Sequence, residues 1–401
     1  MKVLEINKYF YLKGGTETVF FSTIKLLLER NHDVVIYTTK DARNAKGEGA
    51  TLYEHDYPEL RDCSMLNKLK YILRFFYNIP ASREIEQIIL KEKPDIAHVH
   101  LLFNSFSISI LRVLKKHGIP VVYHAHDYRL LCPNYLLFDS ELNICEECLG
   151  KSVIPCVRKR CSRKNLLNSS MLALDMWLRR KIFPINNYIQ SILCVSSFSK
   201  EKHIKMFPLN RENIKTLYNP VNVTPCATNL GEYLLYYGRI SHEKGLRLLI
   251  EAIKEIPEIP LVIVGGGDSE LLTDLPANVI WEGYKPYEQL TSIINKARYV
   301  VVPSMWYETF GLSIVESYGR KTPVIGANHG GIKEIISDNK TGFLFQAGDK
   351  NSLQKIIRLS WNLPVEEYNQ LAENAFEKYK EFSGIEYIQS LENEFYKILA
   401  R

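Results

Sequence analysis

The sequence predicts an α/β protein with two doubly wound units, each a parallel β-sheet covered by helices on both faces. Short β-branched runs alternate with helical patterns along most of the chain, which is typical of βαβ repetition. The alternation stops near residue 198 and starts again near residue 230. With 401 residues, the chain is also long enough to form two hydrophobic cores.

The elements of the first unit begin with the strand pattern KVLEIN at 2–7 and a helical pattern at 16–30. Its further strand patterns lie at 33–39, 95–100, 120–126 and 191–197, with a helix at 105–117. The second unit has strand patterns at 232–241, 260–267, 278–284, 298–304, 322–328 and 341–347, and a helix that begins at Glu243. Asn, Pro, Thr and Gly in 217–231 indicate a linker. We therefore expect domains at 1–200 and 201–384, facing an interdomain cleft where ligands bind.

Composition and charge exclude some classes of protein. The chain has neither an apolar run long enough for a signal sequence nor the roughly 20 apolar residues of a spanning helix. We therefore expect a cytoplasmic protein. Residues 1–198 hold 28 Lys and Arg against 20 Asp and Glu, whereas the rest of the chain is nearly neutral. Nucleic acid, an anionic membrane face or a phosphorylated substrate could each explain this basic half.

Two glutamates stand eight residues apart in SMWYETFGLSIVESYGRKTPVI, at 304–325. The pattern places Glu308 at a helix entrance and Glu316 about two turns in, ~12 Å further along the axis. They could hold the two sugar rings of one elongated ligand, while the amides of Gly311 and Leu312 face an anion. A capping glutamate and a solvated helical glutamate are the structural alternative.

Two further motifs follow strands and could face the same anion. GRISHEKG at 238–245 places Arg239 and Lys244 where they could neutralise a diphosphate without a metal. GGTE at 14–17 places Gly14 and Gly15 in a loop where backbone can come close to a ligand. Surface cations and a plain strand-to-helix turn are the alternatives. GGGD at 265–268 lacks the G-x-G-x-x-G spacing, so a dinucleotide oxidoreductase is disfavoured.

The motif HAHDYR, at 124–129, lies at the end of a strand pattern. His126 could hydrogen-bond a sugar hydroxyl at the reacting end of a substrate, with Asp127 orienting its imidazole or the acceptor. The alternative is a structural hydrogen bond between these two side chains.

The order of these motifs, together with EGY at 282–284 and ETFGLSIVE at 308–316, resembles the retaining GT-B glycosyltransferases of family 4. The resemblance covers nearly the whole chain. It implies that Arg239 and Lys244 bind a donor diphosphate, that Glu308 contacts the donor sugar and that Glu316 contacts the ribose. It also implies a reaction-centre role for His126. The implied donor-binding residues are Gly14, Gly15, Arg239, Lys244, Tyr284, Gly311, Leu312 and Glu316.

The resemblance further implies a UDP- or GDP-sugar donor, retention of anomeric configuration and no catalytic divalent metal. The acceptor would be a saccharide or lipid-linked saccharide in cell-surface polysaccharide synthesis, and nucleic acid would not be a partner. The last helix, at 385–401, would pack back onto the first domain. A non-catalytic binding or scaffold protein with the same fold is the rival interpretation, although Arg239, Lys244, Glu308 and Glu316 are all intact.

A cysteine-rich insert at 132–161 departs from this pattern. It contains Cys132, Cys145, Cys148, Cys156 and Cys161, with C-x₂-C at 145–148. Four of these thiols could bind a structural Zn²⁺. Free cysteines in a loop are the alternative, and a disulfide is disfavoured in a cytoplasmic protein.

Two basic, amphipathic stretches lie at 66–80 and 165–183. They could rest peripherally on the anionic inner face of a membrane and receive a lipid-linked acceptor. Two core-packing helices with solvated basic faces are the alternative.

Overall fold

The computed structural model describes residues 1–47, 49–57, 65–162, 164–224, 226 and 230–401. The strands are β1 (Lys2–Ile6), β2 (Asp33–Thr39), β3 (Thr51–His55), β4 (Ile96–Val99), β5 (Val121–Ala125), β6 (Ser191–Cys194), β7 (Ile214–Thr216), β8 (Tyr233–Tyr237), β9 (Leu261–Val264), β10 (Val279–Trp281), β11 (Ala297–Val302), β12 (Val324–Ala327) and β13 (Gly342–Phe345). The helices are α1 (Gly15–Glu29), α2 (Met65–Phe76), α3 (Ile79–Glu92), α4 (Ser107–Lys116), α5 (Ile154–Arg158), α6 (Leu166–Lys181), α7 (Ser197–Met206), α8 (Leu246–Lys254), α9 (Tyr287–Lys296), α10 (Leu312–Gly319), α11 (Ile332–Ile335), α12 (Lys350–Trp361), α13 (Val365–Tyr379) and α14 (Gly384–Leu399). Within these ranges every helix is too short or too polar to cross a bilayer.

The strands form two parallel sheets, so the predicted pair of doubly wound units is confirmed. The first sheet has the order β3-β2-β1-β4-β5-β6-β7 and the second the order β10-β9-β8-β11-β12-β13. Central strands are almost wholly buried because helices cover both faces of each sheet. Parallel pairing brings the carboxyl ends of all strands of a sheet to one edge, and the loops at that edge carry the candidate site.

The first sheet extends past residue 200, where the sequence predicted a domain boundary. Strand β7 pairs in parallel with β6, with Ile192 opposite Ile214. Strands β3 and β7 were both missed in the sequence. β3, TLYEH, is only partly buried at a sheet edge, and β7 is three residues long, so neither has the apolar run that marks the central strands.

The helix expected from Glu243 begins later, at Leu246. A short 3₁₀ turn covers His242–Lys244, and Gly245 follows with φ +72°. A Cβ atom at Gly245 would lie 1.9 Å from the carbonyl oxygen of Pro303. Glycine is therefore required where the 3₁₀ turn crosses the loop that follows β11, and this contact holds Lys244 beside that loop.

Helix α14, which follows the second sheet in sequence, packs against the first sheet. The hydroxyls of Thr23 and Tyr387 lie 2.7 Å apart. The buried carboxylate of Glu392 contacts His32 Nε2 at 2.7 Å and accepts a hydrogen bond from Arg30 Nη2 at 3.1 Å. Apolar residues of α14 complete the core between α1 and the sheet.

Candidate active site

A partly buried ion pair joins the two motifs of the second unit. Lys244 Nζ donates to Glu308 Oε1 at 2.5 Å, and Ser304 Oγ donates to the same oxygen at 2.7 Å. Burial alone would raise the pKa of Glu308, but Lys244 and the Ser304 hydroxyl outweigh it and lower that pKa. The side chain of Glu308 is 7% exposed, so this carboxylate is held ionised and aimed by its partners.

Arg239 lies at the end of β8, on the same loop as Lys244. Its guanidinium forms an ion pair with Glu243, which also accepts a hydrogen bond from Ser241 Oγ at 2.8 Å. The arginine side chain is 55% exposed. Arg239 can therefore reach a ligand with the donors that Glu243 leaves free, whereas Lys244 must be released by Glu308.

The start of α10 supplies unpaired backbone amides beside Glu316. The helix begins at Leu312 after Gly311, whose φ of +122° favours glycine. Glu316 is the fifth residue of the helix, ~6 Å along its axis, and Glu308 lies in the turn before it, so the expected two-turn spacing was wrong. Glu316 Oε2 accepts a hydrogen bond from Tyr237 OH at 3.2 Å. Burial raises the pKa of Glu316 to about 7.

The glycine loop of the first unit lies against this helix start. Gly14 caps α1 and Gly15 is its first residue. A Cβ atom at Gly15 would lie 2.6 Å from Leu312 Cδ1, so the two units are in close contact here and a larger residue would require the Leu312 side chain to shift. The nearby carboxylate of Glu17 is buried, and its Oε1 has no hydrogen-bond partner among the residues that the structure describes. Burial raises the pKa of Glu17, a residue that the sequence analysis did not single out.

His126 also lies where the two units meet. Thr309 Oγ1, from the turn before α10, donates to the backbone carbonyl of His126 at 2.9 Å. The carboxylate of Asp127, which was expected to orient this imidazole or the acceptor, accepts a hydrogen bond from Arg129 Nε at 2.6 Å. The imidazole instead contacts another imidazole, with His126 Nε2 and His100 Nδ1 at 2.7 Å.

Behind His126 the structure places a buried cluster of one carboxylate and three more imidazoles: Glu5, His98, His100 and His124. Burial lowers the pKa of His100 and His124 well below the usual range, and burial with neighbouring His98 lowers the pKa of His126 to about 3. The three imidazoles are also the group of possible metal ligands, within the described ranges, whose ligand atoms all lie within 4.8 Å of one another. The sequence analysis overlooked this cluster, although HVH at 98–100 and HAH at 124–126 place histidines two apart on neighbouring strands.

Tyr284 is the one proposed donor-binding residue that lies apart from these contacts. It is 75% exposed on the loop after β10.

The five cysteines of the insert line a single cavity together with Leu137, Phe138 and Pro155. Cys132 Sγ donates to Asn134 Oδ1 at 2.9 Å, and Lys159 Nζ lies 3.7 Å from Cys145 Sγ. As placed in the described part of the chain, the sulfurs do not converge as closely as the three imidazoles do. The insert thus gathers the thiols around one space and gives one of them a cationic neighbour.

Comparison with known proteins identifies the class. The pattern that defines Glycosyltransferase Family 4 matches residues 13–224, and the pattern for Glycosyl transferases group 1 matches residues 229–378. The chain therefore belongs to glycosyltransferase family 4, and its fold is GT-B, as the sequence resemblance indicated. Both matches are to glycosyltransferases.

Individual relatives have low sequence identity to this chain, and some of the alignments cover most of it. An uncharacterized 42.6 kDa protein in the cps region of Klebsiella pneumoniae is 25% identical over 356 residues, which cover 84% of this chain and 87% of that protein. O-antigen chain mannosyltransferase B of Escherichia coli is 29% identical over 174 residues, 37% of this chain and 45% of that protein. The structure of Anabaena Alr3699/HepE in complex with UDP-glucose superposes with a TM-score of 0.69 and 17% identity, covering 99% of this chain and all of that one.

The raised pKa of Glu316 predicts a pH-dependent stability. Because the folded pKa of about 7 exceeds the ordinary value of 4.5, ionising Glu316 destabilises the fold as pH rises from about 4.5 through about 7. Glu316→Gln should therefore unfold at higher urea concentration than the wild type at pH 8, with a gain of roughly 1–3 kcal/mol, and show a much smaller gain at pH 5. Exposed Glu288→Gln is the control. Equal gains in the free energy of unfolding at both pH values would contradict a raised pKa of Glu316.

Proposed function

We propose that the protein transfers a sugar, with retention of configuration, from a nucleoside diphosphate sugar to an acceptor hydroxyl. The observation that carries the proposal is the meeting of Gly15, the start of α10 and the Lys244–Glu308 pair at the carboxyl ends of the sheets. A diphosphate would draw Lys244 away from Glu308 and accept hydrogen bonds from the α10 amides. The released carboxylate would then accept hydrogen bonds from donor-sugar hydroxyls.

The remaining donor contacts follow the layout of such a ligand. Arg239 would bind the diphosphate from the solvent side, and Glu316 would accept hydrogen bonds from ribose hydroxyls after losing its proton. Gly14 would stand beside the phosphates, and Tyr284 beside the nucleoside.

Charge on the departing diphosphate is the main cost of the reaction. Lys244, Arg239 and the amides of Gly311 and Leu312 together supply positive charge where that diphosphate would form. We therefore propose a reaction without a catalytic divalent metal, in which the acceptor attacks on the face that the leaving group vacates. His126 would hydrogen-bond a sugar hydroxyl at the reacting centre.

The proposed acceptor is a lipid-linked saccharide of cell-surface polysaccharide synthesis, presented at the inner face of a membrane. The relatives from a cps region and from O-antigen synthesis support this acceptor class. Helices α2 and α6, the two stretches singled out in the sequence, leave large apolar side chains exposed, among them Leu73, Leu167 and Trp177 at 61%, 76% and 44%. Lysines and arginines on the same stretches would attract anionic lipid headgroups.

We also propose a structural zinc ion in the insert, held by Cys145, Cys148, Cys156 and Cys161. These residues form a C-x₂-C pair and a C-x₄-C pair around one cavity. Cys132 also lines the cavity but already donates a hydrogen bond to Asn134, so it is left out of the ligand set. Tetrahedral Zn–S bonds of about 2.3 Å would draw the four sulfurs to about 3.8 Å from one another.

Donor binding can be tested by calorimetry with UDP and GDP. Arg239→Ala and Lys244→Ala should weaken binding of the preferred diphosphate at least tenfold, about 1.4 kcal/mol. Arg247→Ala, which removes another arginine paired with a glutamate four residues on, should bind normally. Glu308→Gln should bind the bare diphosphate at least as tightly, because Lys244 is freed, yet transfer sugar about 100-fold more slowly. If no diphosphate binds the folded protein, a scaffold role replaces the enzyme.

Metal analysis of the purified protein tests the zinc site. We expect about one zinc per chain, with each of Cys145→Ser, Cys148→Ser, Cys156→Ser and Cys161→Ser lowering that content. Cys226→Ser, which lies outside the insert, should leave the zinc content unchanged. A metal content near zero with free thiols by mass spectrometry would disprove the site.

Flotation with vesicles tests the membrane surface. The protein should float with vesicles containing anionic lipid at low salt and dissociate at high salt. Leu167→Glu should reduce flotation severalfold, whereas Leu359→Glu, which alters an exposed leucine of α12, should not. If neither the wild type nor the Leu359→Glu control floats with these vesicles, the proposed membrane surface is disproved.

A further inference from the structure

A continuous chain of short contacts runs from His126 into the interior of the first sheet. His126 Nε2 lies 2.7 Å from His100 Nδ1, and His100 Nε2 lies 3.2 Å from Glu5 Oε2. The other oxygen, Glu5 Oε1, lies 2.9 Å from His98 Nδ1. His98 Nε2 in turn lies 3.3 Å from His124 Nδ1. Every group in this chain other than His126 is fully buried, so solvent does not compete for these hydrogen bonds.

The carboxylate fixes the direction of each hydrogen bond. Each oxygen of the Glu5 carboxylate accepts a hydrogen bond from one of the two rings, so His98 carries its proton on Nδ1 and His100 carries its proton on Nε2. Those two nitrogens lie 3.3 Å apart because both of their protons point to Glu5. A neutral imidazole has one donor and one acceptor nitrogen, so His100 Nδ1 is an acceptor. It can then be satisfied only by a proton on His126 Nε2.

The direction of the hydrogen bond between His98 and His124 follows from the same rule. His98 Nε2 becomes an acceptor and takes the Nδ1 proton of His124. This leaves His124 Nε2 as an acceptor, and that atom is buried without a partner in the described part of the chain. With one proton on each of the four rings, every donor in the chain therefore has an acceptor. The lowered pKa values of His100, His124 and His126 agree with neutral rings.

From this geometry we infer that Glu5, acting through His100, is a positioning residue that fixes the tautomer of His126. His126 then carries its proton on Nε2, and its Nδ1 has a free lone pair. Nδ1 has no hydrogen-bond partner within the described residues and is not among the enclosed atoms. His126 is thus held as an acceptor for a sugar hydroxyl and cannot act as a donor from Nδ1. This inference rests on the proposed function of His126.

Histidine-selective ¹⁵N labelling tests the tautomer directly. In the long-range ¹H–¹⁵N spectrum of the wild type, His126 should show a protonated Nε2 and an unprotonated Nδ1, with its signals assigned by their loss in His126→Gln. A proton on Nδ1 would overturn the inference. This measurement needs no substrate, so it stands even if no transferase activity is found.

Glu5→Gln tests the positioning role. The amide can donate as well as accept, so His98 and His100 no longer both have to point a proton at residue 5, and the His126 signals should shift or double. Turnover should fall at least tenfold, while nucleoside diphosphate affinity stays within about twofold. Glu392→Gln is the matched control, because it alters another buried glutamate that contacts a histidine, His32, and it should change neither the His126 signals nor turnover. Unchanged signals or unchanged turnover in Glu5→Gln would overturn the positioning role.

Discussion

The hydrogen bond from Thr309 to the backbone carbonyl of His126 joins the two sheets at the edge where all their strands end. The loop after β5 and the turn before α10 are thereby held together. The contact between Gly15 and Leu312 lies at the same junction. Groups from two separate cores can then act on one ligand, because these contacts between the two units set their spacing.

Much of this arrangement could be predicted because the relevant patterns are local. The strand patterns identified both sheets, and glycines, cations and glutamates at strand ends identified the motifs of the second unit. Edge strands β3 and β7 were missed since they have few apolar residues. The predicted axial position of Glu316 was wrong because α10 begins only after Gly311. The sequence pattern did not specify the backbone conformation of this glycine.

The histidine cluster shows a different limit of sequence reasoning. In the sequence, Glu5 is a single carboxylate in a strand that is otherwise apolar after its first residue. Its partners depend on which strands become neighbours in the sheet. Sheet order places β1 beside β4 and β4 beside β5, so residues up to 95 positions apart in sequence come into contact. Likewise, Asp127 follows His126 directly in sequence, yet it pairs with Arg129. Adjacency along the chain is therefore a poor guide to the partner of a site residue.

Helix α14 has a consequence for the order of folding. It supplies Tyr387, whose ring stacks on His124 at 6.2 Å between centroids, and Glu392, which binds Arg30 and His32. The wall behind the first sheet is thus made by a segment synthesised after the entire second sheet. During translation, the apolar surface of the first unit that α14 covers stays exposed until about 390 residues have been synthesised. Contacts this distant in sequence slow folding and leave the nascent chain dependent on protection from aggregation.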